Sequence, residues 1–75
     1  MALITLSAVI HREGNLYVAD CPEFGTVSQG ATIEEAIRNL KEATQLYLEE
    51  QAKPVAVTPA ILTTFSIDAA NAEAA

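Results

Sequence analysis

The side chains in this sequence that could support a reaction are one thiol, one imidazole and several carboxylates. Cys21 precedes Pro22 in the stretch CPEFG, a loop position where a nucleophile could lie. A cysteine nucleophile needs a base. His11 is the one histidine, and the sequence identifies no acid or asparagine that would orient its ring. We therefore predict a partly buried thiol that packs at a strand end, and a histidine that is exposed or hydrogen-bonded at a sheet edge.

The carboxylates raise a second hypothesis, a metal-dependent nuclease. Such enzymes hold two divalent cations about 4 Å apart, with carboxylates that converge from different elements. The acids concerned are Glu13, Asp20, Glu23, Glu34, Glu35 and Asp68. The strand expected to face Asp20 carries Ile, Leu, Ala and Ser, and a helix start accounts for the acids at 34 and 35. We therefore predict solvated acids that face a partner, with no catalytic residue, no cofactor and no metal site.

Size and charge narrow the class of protein. A chain of 75 residues makes one small domain that buries only about 60% of its unfolded surface. Its single cysteine excludes an internal disulfide and fits a reducing compartment, so association with another chain is the expected supplement. Ten acids against four bases give a net charge of −6, which disfavours nucleic acid and favours a basic protein partner.

The beginning of the chain gives no sign of export or of a membrane span. The stretch MALITLSAVI is apolar, but it has no positively charged region before it and is too short to cross a bilayer. We therefore expect a cytoplasmic protein.

The elements that position these residues follow from local patterns. Residues 2–11 alternate in polarity and predict a strand, with Ile4, Leu6, Ala8 and Ile10 on the apolar face. EGN at 13–15 predicts a hairpin turn and residues 16–20 the return strand. After the break at CPEFG, TVSQ predicts a short third strand with Val27 facing the core.

A strong helix start follows this third strand. Thr32 with Glu35 three residues later is a capping box, and the helix is predicted over residues 33–51. Its core stripe is expected to contain Ile33, Ile37, Leu40, Thr44 and Tyr47. The opposite side carries charged residues, among them Glu34 and Arg38 in a favourable i,i+4 order.

The last part of the chain predicts a fourth strand. Residues 54–59 form a connector bounded by two prolines, and residues 61–68 alternate in polarity. The order is β-β-β-α-β, with one helix on one face of a small, mostly antiparallel sheet, so the class is α+β. The predicted domain covers residues 1–68, and residues 69–75 are expected to be a disordered tail.

The run YVADCPEFGTVSQGATIEEAIRNLKEATQLYLEE, residues 17–50, resembles the N-terminal domain of the HicB family, the antitoxins of HicA–HicB toxin–antitoxin systems. The resemblance is carried, in a fixed order, by the YVA strand, CPEFG, SQG, T-x-E-E-A and the LKEA…LYLE helix. It implies a truncated ribonuclease-H-like fold and a basic, RNA-cleaving HicA-like toxin as partner. We expect a short form, without the C-terminal DNA-binding domain that many relatives carry.

Two surfaces are candidates for binding. Phe24 either plugs the end of the sheet or projects as an anchor. The predicted partner-binding residues are Glu23, Phe24, Glu34, Arg38 and Glu42. The predicted self-association residues are Leu3, Val9 and Tyr17, because the helix is expected to leave their sheet face uncovered.

The sequence therefore predicts a non-catalytic HicB-like antitoxin that binds and occludes a basic RNase toxin and forms a homo-oligomer, a dimer or a tetramer. An orphan oligomeric binding module for some other ligand is the first alternative. A metal-dependent nuclease is the second.

Overall fold

The structure, a computed structural model, describes residues 3–51 and 56–71. Its elements in chain order are β1 (Val9–Glu13), β2 (Leu16–Cys21), β3 (Thr26–Gly30), α1 (Ile33–Glu49) and a 3-10 helix (Ala69–Asn71). Three antiparallel strands followed by one helix confirm the predicted α+β class. We call residues 9–49, which hold the three strands and α1, the core unit.

The three strands form one antiparallel sheet in the order β1-β2-β3. β1 and β2 join through the predicted hairpin, in which Glu13 pairs with Leu16 across a turn made by Gly14 and Asn15. Gly14 has φ of 59°, a left-handed conformation that glycine adopts without steric cost. The local turn signal therefore sets the register of the hairpin.

Helix α1 covers the face of β2 that carries its odd-numbered residues. Ala19 and Cys21 are buried against Ala36 and Leu40 of α1, and Tyr17 packs on the same cluster. The prediction that Tyr17 lies on the uncovered face is therefore wrong. Because Asp20 pairs with Val27, the alternation places Val27 on the open face, where it is 56% exposed, and the prediction that it faces the core is also wrong.

Helix α1 begins where the capping box predicts. The Thr32 hydroxyl accepts a hydrogen bond from the backbone N–H of Glu35 at 3.1 Å. The Glu35 carboxylate reaches back and accepts from the N–H of Ala31 at 3.1 Å. The first bond satisfies a donor that the helix start leaves free, and the second ties the residue before the cap to the first turn.

The buried stripe of α1 differs in part from the predicted one. Its fully buried positions are Ala36, Leu40 and Thr44. Ile33 and Ile37 are 43% and 42% exposed, so they lie at the margin of the covered face. The reason is that α1 packs mainly over β3, where the small residues of that strand bring the helix close.

Gly30 shows how close this approach is. A Cβ at Gly30 would lie 2.6 Å from the backbone nitrogen of Ala36 and 2.9 Å from the carbonyl carbon of Glu35. Thr26 on the same strand face shares a hydrogen bond of 2.6 Å with Thr44, hydroxyl to hydroxyl. Small and hydrogen-bonding side chains thus hold α1 against β3.

Two predicted strands are shorter or absent. Residues 3–8 carry no strand ladder, because β2 ends opposite them in a corner whose Pro22 has no N–H to donate. Residue 2 lies outside the described residues. Residues 61–68 form no strand either, within the part of the chain that the structure describes. Alternating polarity predicts that a segment can form a strand, but it does not say which strand would pair with it.

The predicted tail is described only in its first residues. Ala69–Asn71 form the short 3-10 helix. The rest of that prediction, residues 72–75, lies outside the described residues.

Candidate functional site

The corner between β2 and β3 is built by a tight turn that positions Glu23 and Phe24. The N–H of Gly25 donates to the carbonyl of Cys21 at 2.7 Å and closes the turn. Gly25 has φ of 75°, which explains the glycine at this position. The corner therefore holds its two candidate residues in a fixed conformation.

Glu23 joins three parts of the chain. Its Oε1 accepts a hydrogen bond from the N–H of Ser7 at 2.9 Å, and its Oε2 accepts one from the N–H of Ala60 at 3.2 Å. The thiol of Cys21 donates to the same carboxylate at 3.5 Å. Glu23 is half-buried, and this predicted partner-binding acid is engaged within its own chain.

These bonds change the acidity of Glu23. The N–H of Ser7 contributes most, and together with the Ser7 hydroxyl and the N–H of Ala60 it lowers the pKa of Glu23 from 4.5 to about 2, while partial burial opposes the change. The carboxylate is therefore ionised at neutral pH, and donors from two distant segments stabilise its charge.

Phe24 turns inward at the same corner. Its half-buried ring packs against the core cluster and lies 5.7 Å from the ring of Tyr47, centroid to centroid, at a tilt of 40°. Such tilted pairs add to the packing energy of aromatic residues. Of the two alternatives for Phe24, the structure favours the plug, and its role in partner binding stays a prediction.

The outer side of α1 carries an exposed stripe of acids. Glu34, Glu42 and Glu49 are exposed, with Arg38 among them, and we call these four residues the acidic stripe. Arg38 lies 4.0 Å from Glu35, not in the predicted pair with Glu34. That ion pair is solvent-exposed and contributes less than about 1 kcal/mol. The stripe is therefore a solvent-exposed row of charged side chains along the helix.

An apolar groove of about 570 Å³ lies between α1 and residues 3–8, the segment that leads into β1. It exists because α1 leans over β2 and β3. Its lining residues are Leu3, Ile4, Leu6, Ser7, Ala8, Cys21, Ile37, Leu40, Lys41, Thr44, Gln45, Leu48 and Glu49. The groove is not predicted from the sequence, because the predicted apolar stripe of α1 was expected to be covered by the sheet.

The predicted self-association residues do not share one face. Leu3 lines the groove on the helix side, and Tyr17 packs under the helix. Val9 lies on the open face of the sheet, where it is 41% exposed. The apolar patch predicted from these three residues is therefore not formed.

The residues that could do chemistry are held apart. Cys21 is 2% exposed on the helix side of the sheet, whereas His11 is exposed on the opposite face, 3.6 Å from Glu13 and 3.9 Å from Asp20. This arrangement confirms the packing role predicted for Cys21. Among the described residues, no three His, Cys, Asp or Glu side chains come together in a way that could hold a metal ion.

Residues 3–51 and 56–71 include no helix with the length and apolar character needed to cross a membrane. No protein-family model matches the chain, and no solved structure matches it. The chain is similar to a UPF0150 protein of Helicobacter pylori strain J99, with 52% identity over 44 residues. Those residues are 57% of this chain and 61% of that protein, so the likeness to the UPF0150 protein is a partial one.

Proposed function

We propose that this protein is a HicB-like antitoxin that binds and occludes a basic RNase toxin in the cytoplasm, without catalysis and without a cofactor. The motifs of residues 17–50 and the partial likeness to a UPF0150 protein support this proposal. The observation that carries it is the acidic stripe, an exposed row of carboxylates on a rigid helix in a chain of net charge −6.

The acidic stripe suits an RNA-cleaving partner on electrostatic grounds. A toxin that binds RNA presents cations arranged for phosphates, and carboxylates about two turns apart on one face of a helix offer it a row of fixed anions. Glu34 and Glu42 are two such carboxylates, on either side of Arg38. Long-range attraction between surfaces of opposite charge raises the association rate and selects the partner.

Inhibition in this proposal is steric. Helix α1, Ile33–Glu49, is about 25 Å long at 1.5 Å per residue. A rigid rod of that length, held against the sheet by Leu40 and Thr44, can lie across the RNA-binding surface of a small toxin. Substrate and antitoxin then compete for the same cations, and no bond is made or broken.

The test is complex formation with the product of any adjacent small basic reading frame. We expect a stoichiometric complex by mass in solution and loss of that protein's RNA cleavage. In the variant Glu34→Gln/Glu42→Gln the association rate at low salt should fall on the order of 10-fold. The control Glu13→Gln/Asp68→Asn removes the same charge elsewhere and should change the rate less than about twofold.

Three results would overturn the proposal. They are a homo-oligomer that ignores every such basic protein, equal effects of the stripe variant and its control, and RNA cleavage by this chain itself when Mg²⁺ or Mn²⁺ is added. The first would favour the orphan binding module, and the third would favour the nuclease.

A further inference from the structure

The segment after the connector has the pattern of a strand but no partner in its own chain. We call residues 60–68 the arm. Alternate arm residues Ile61, Phe65 and Ile67 point apolar side chains outward and are 92%, 87% and 74% exposed. No residue in the described part of the chain pairs with the arm in a strand ladder. Large apolar side chains this exposed, in a segment that belongs to no helix or strand of its own chain, mark a site of interaction.

The same chain also has an unfilled place for a strand. β1 is an edge of the sheet, so the outward N–H and C=O groups of Val9–Glu13 have no strand partner among the described residues. The groove lies next to the start of this edge, between residues 3–8 and α1, and Leu6 and Leu40 form part of its wall. A strand that pairs with β1 and continues past Val9 along residues 3–8 would bring its apolar side chains to the groove.

We propose that the arm of each chain forms a fourth strand on β1 of a second copy, so that two copies exchange arms reciprocally. Ile61, Phe65 and Ile67 then fill the groove of the partner, while Leu62 and Ser66 lie on the other strand face. Each copy gives one arm and receives one, which closes a two-fold dimer. The proposal does not rest on the antitoxin function.

The direction of the arm favours a second copy over its own chain. Glu23 fixes the first arm residue, Ala60, near Ser7, yet the apolar residues beyond it stay exposed. The chain measures 50 Å in its longest dimension and has a radius of gyration of 15.5 Å. A compact chain of this length would have a radius of about 11 Å. This elongated chain leaves the apolar residues of the arm exposed.

Area and charge both permit the exchange. The three apolar side chains bury roughly 400 Å² per arm, and two arms with two matching grooves give on the order of 1,500 Å², the size of a stable interface. Each copy carries a charge of −6, but the arm holds one acid, Asp68, at its far end. Arm exchange therefore joins two acidic chains through a nearly neutral segment.

Sedimentation equilibrium of the full chain tests the proposal. We expect a dimer whose dissociation constant rises at least about 100-fold in Phe65→Asp, because the new charge would enter the groove. The control Ser66→Asp adds the same charge one position along, on the outer face, and should change the constant less than about threefold. Phe65→Asp should stay folded by circular dichroism, since Phe65 is 87% exposed within its own chain. A monomeric wild type, or equal effects of the two substitutions, would overturn the proposal.

Nuclear Overhauser contacts in a mixture of isotope-labelled and unlabelled chains identify the groove that the arm occupies. We expect contacts between the Phe65 ring of one chain and the methyl groups of Leu6 and Leu40 of the other. Contacts confined to one chain would mean that the arm folds back, and contacts only between the two arms would mean a different dimer. Either result contradicts strand exchange.

Discussion

The core unit and the segments that flank it differ in how far they are paired and packed within their own chain. In residues 9–49, every strand has a partner and the helix has a cap and a buried stripe. Residues 3–8 and the arm belong to no strand, and they are tied to the core unit by the packing of Leu6 and by the bonds of Ser7 and Ala60 to Glu23. The core unit is specified by signals within the chain, whereas the flanks carry apolar residues that their own chain leaves exposed.

We expect the largest difference between the two regions in the free energy of unfolding, when one apolar residue in each region is truncated to alanine. Leu40 is 5% exposed at the centre of the core cluster, and Leu40→Ala should lower the free energy of unfolding by about 3 kcal/mol, because it leaves a cavity. Ile61 is 92% exposed, and Ile61→Ala should change the free energy of unfolding by less than about 0.5 kcal/mol in dilute, monomeric protein. Urea titration measures both. Similar losses at the two sites would mean that the arm belongs to the core of its own chain.

The contact between β3 and α1 is tested by Gly30→Ala. The added Cβ would meet backbone atoms of Ala36 and Glu35 that cannot move aside, so we expect a loss of about 2 kcal/mol. Gly25→Ala is the control, because Gly25 has φ of 75° but open space around it, and its strain should cost about 1 kcal/mol. Thermal unfolding compares the two variants. If Gly25→Ala is the more damaging, the close approach of α1 to β3 contributes less than the conformation of the corner.

These two regions also differ in how far the sequence predicts them. The hairpin at Gly14 and the cap at Thr32 were predicted because their signals lie within a few residues. The covered face of β2 was predicted wrongly, because Leu16 and Val18 on one side look as apolar as Tyr17 and Ala19 on the other. Alternation gives two faces but does not say which one meets the helix.

The site was harder to predict than the fold. Glu23 was identified as a functional acid, but its bond to Ala60 joins residues 37 positions apart, and no local pattern indicates such a pair. The groove arises from the lean of α1 toward β3, which depends on the missing side chain of Gly30. Long-range geometry of this kind follows from packing, so the sequence shows which residues take part but not how they are arranged.

The smallest expected effect lies at the joint between the two regions, the carboxylate of Glu23. Its pKa of about 2 is below the ordinary 4.5, so the folded state binds fewer protons there than the unfolded state. The stabilisation is complete above about pH 4.5 and is lost as the pH falls toward 2. We expect the backbone amide signals of Ser7 and Ala60 to shift together in this range in an NMR titration. They should not do so in Glu23→Gln, and Glu42→Gln on the acidic stripe should titrate like the wild type. A midpoint near 4.5 for the two amides would show that Glu23 does not tie the flanks to the core unit. A shared midpoint near 2 would show that one carboxylate holds both flanks at the corner from which the arm departs.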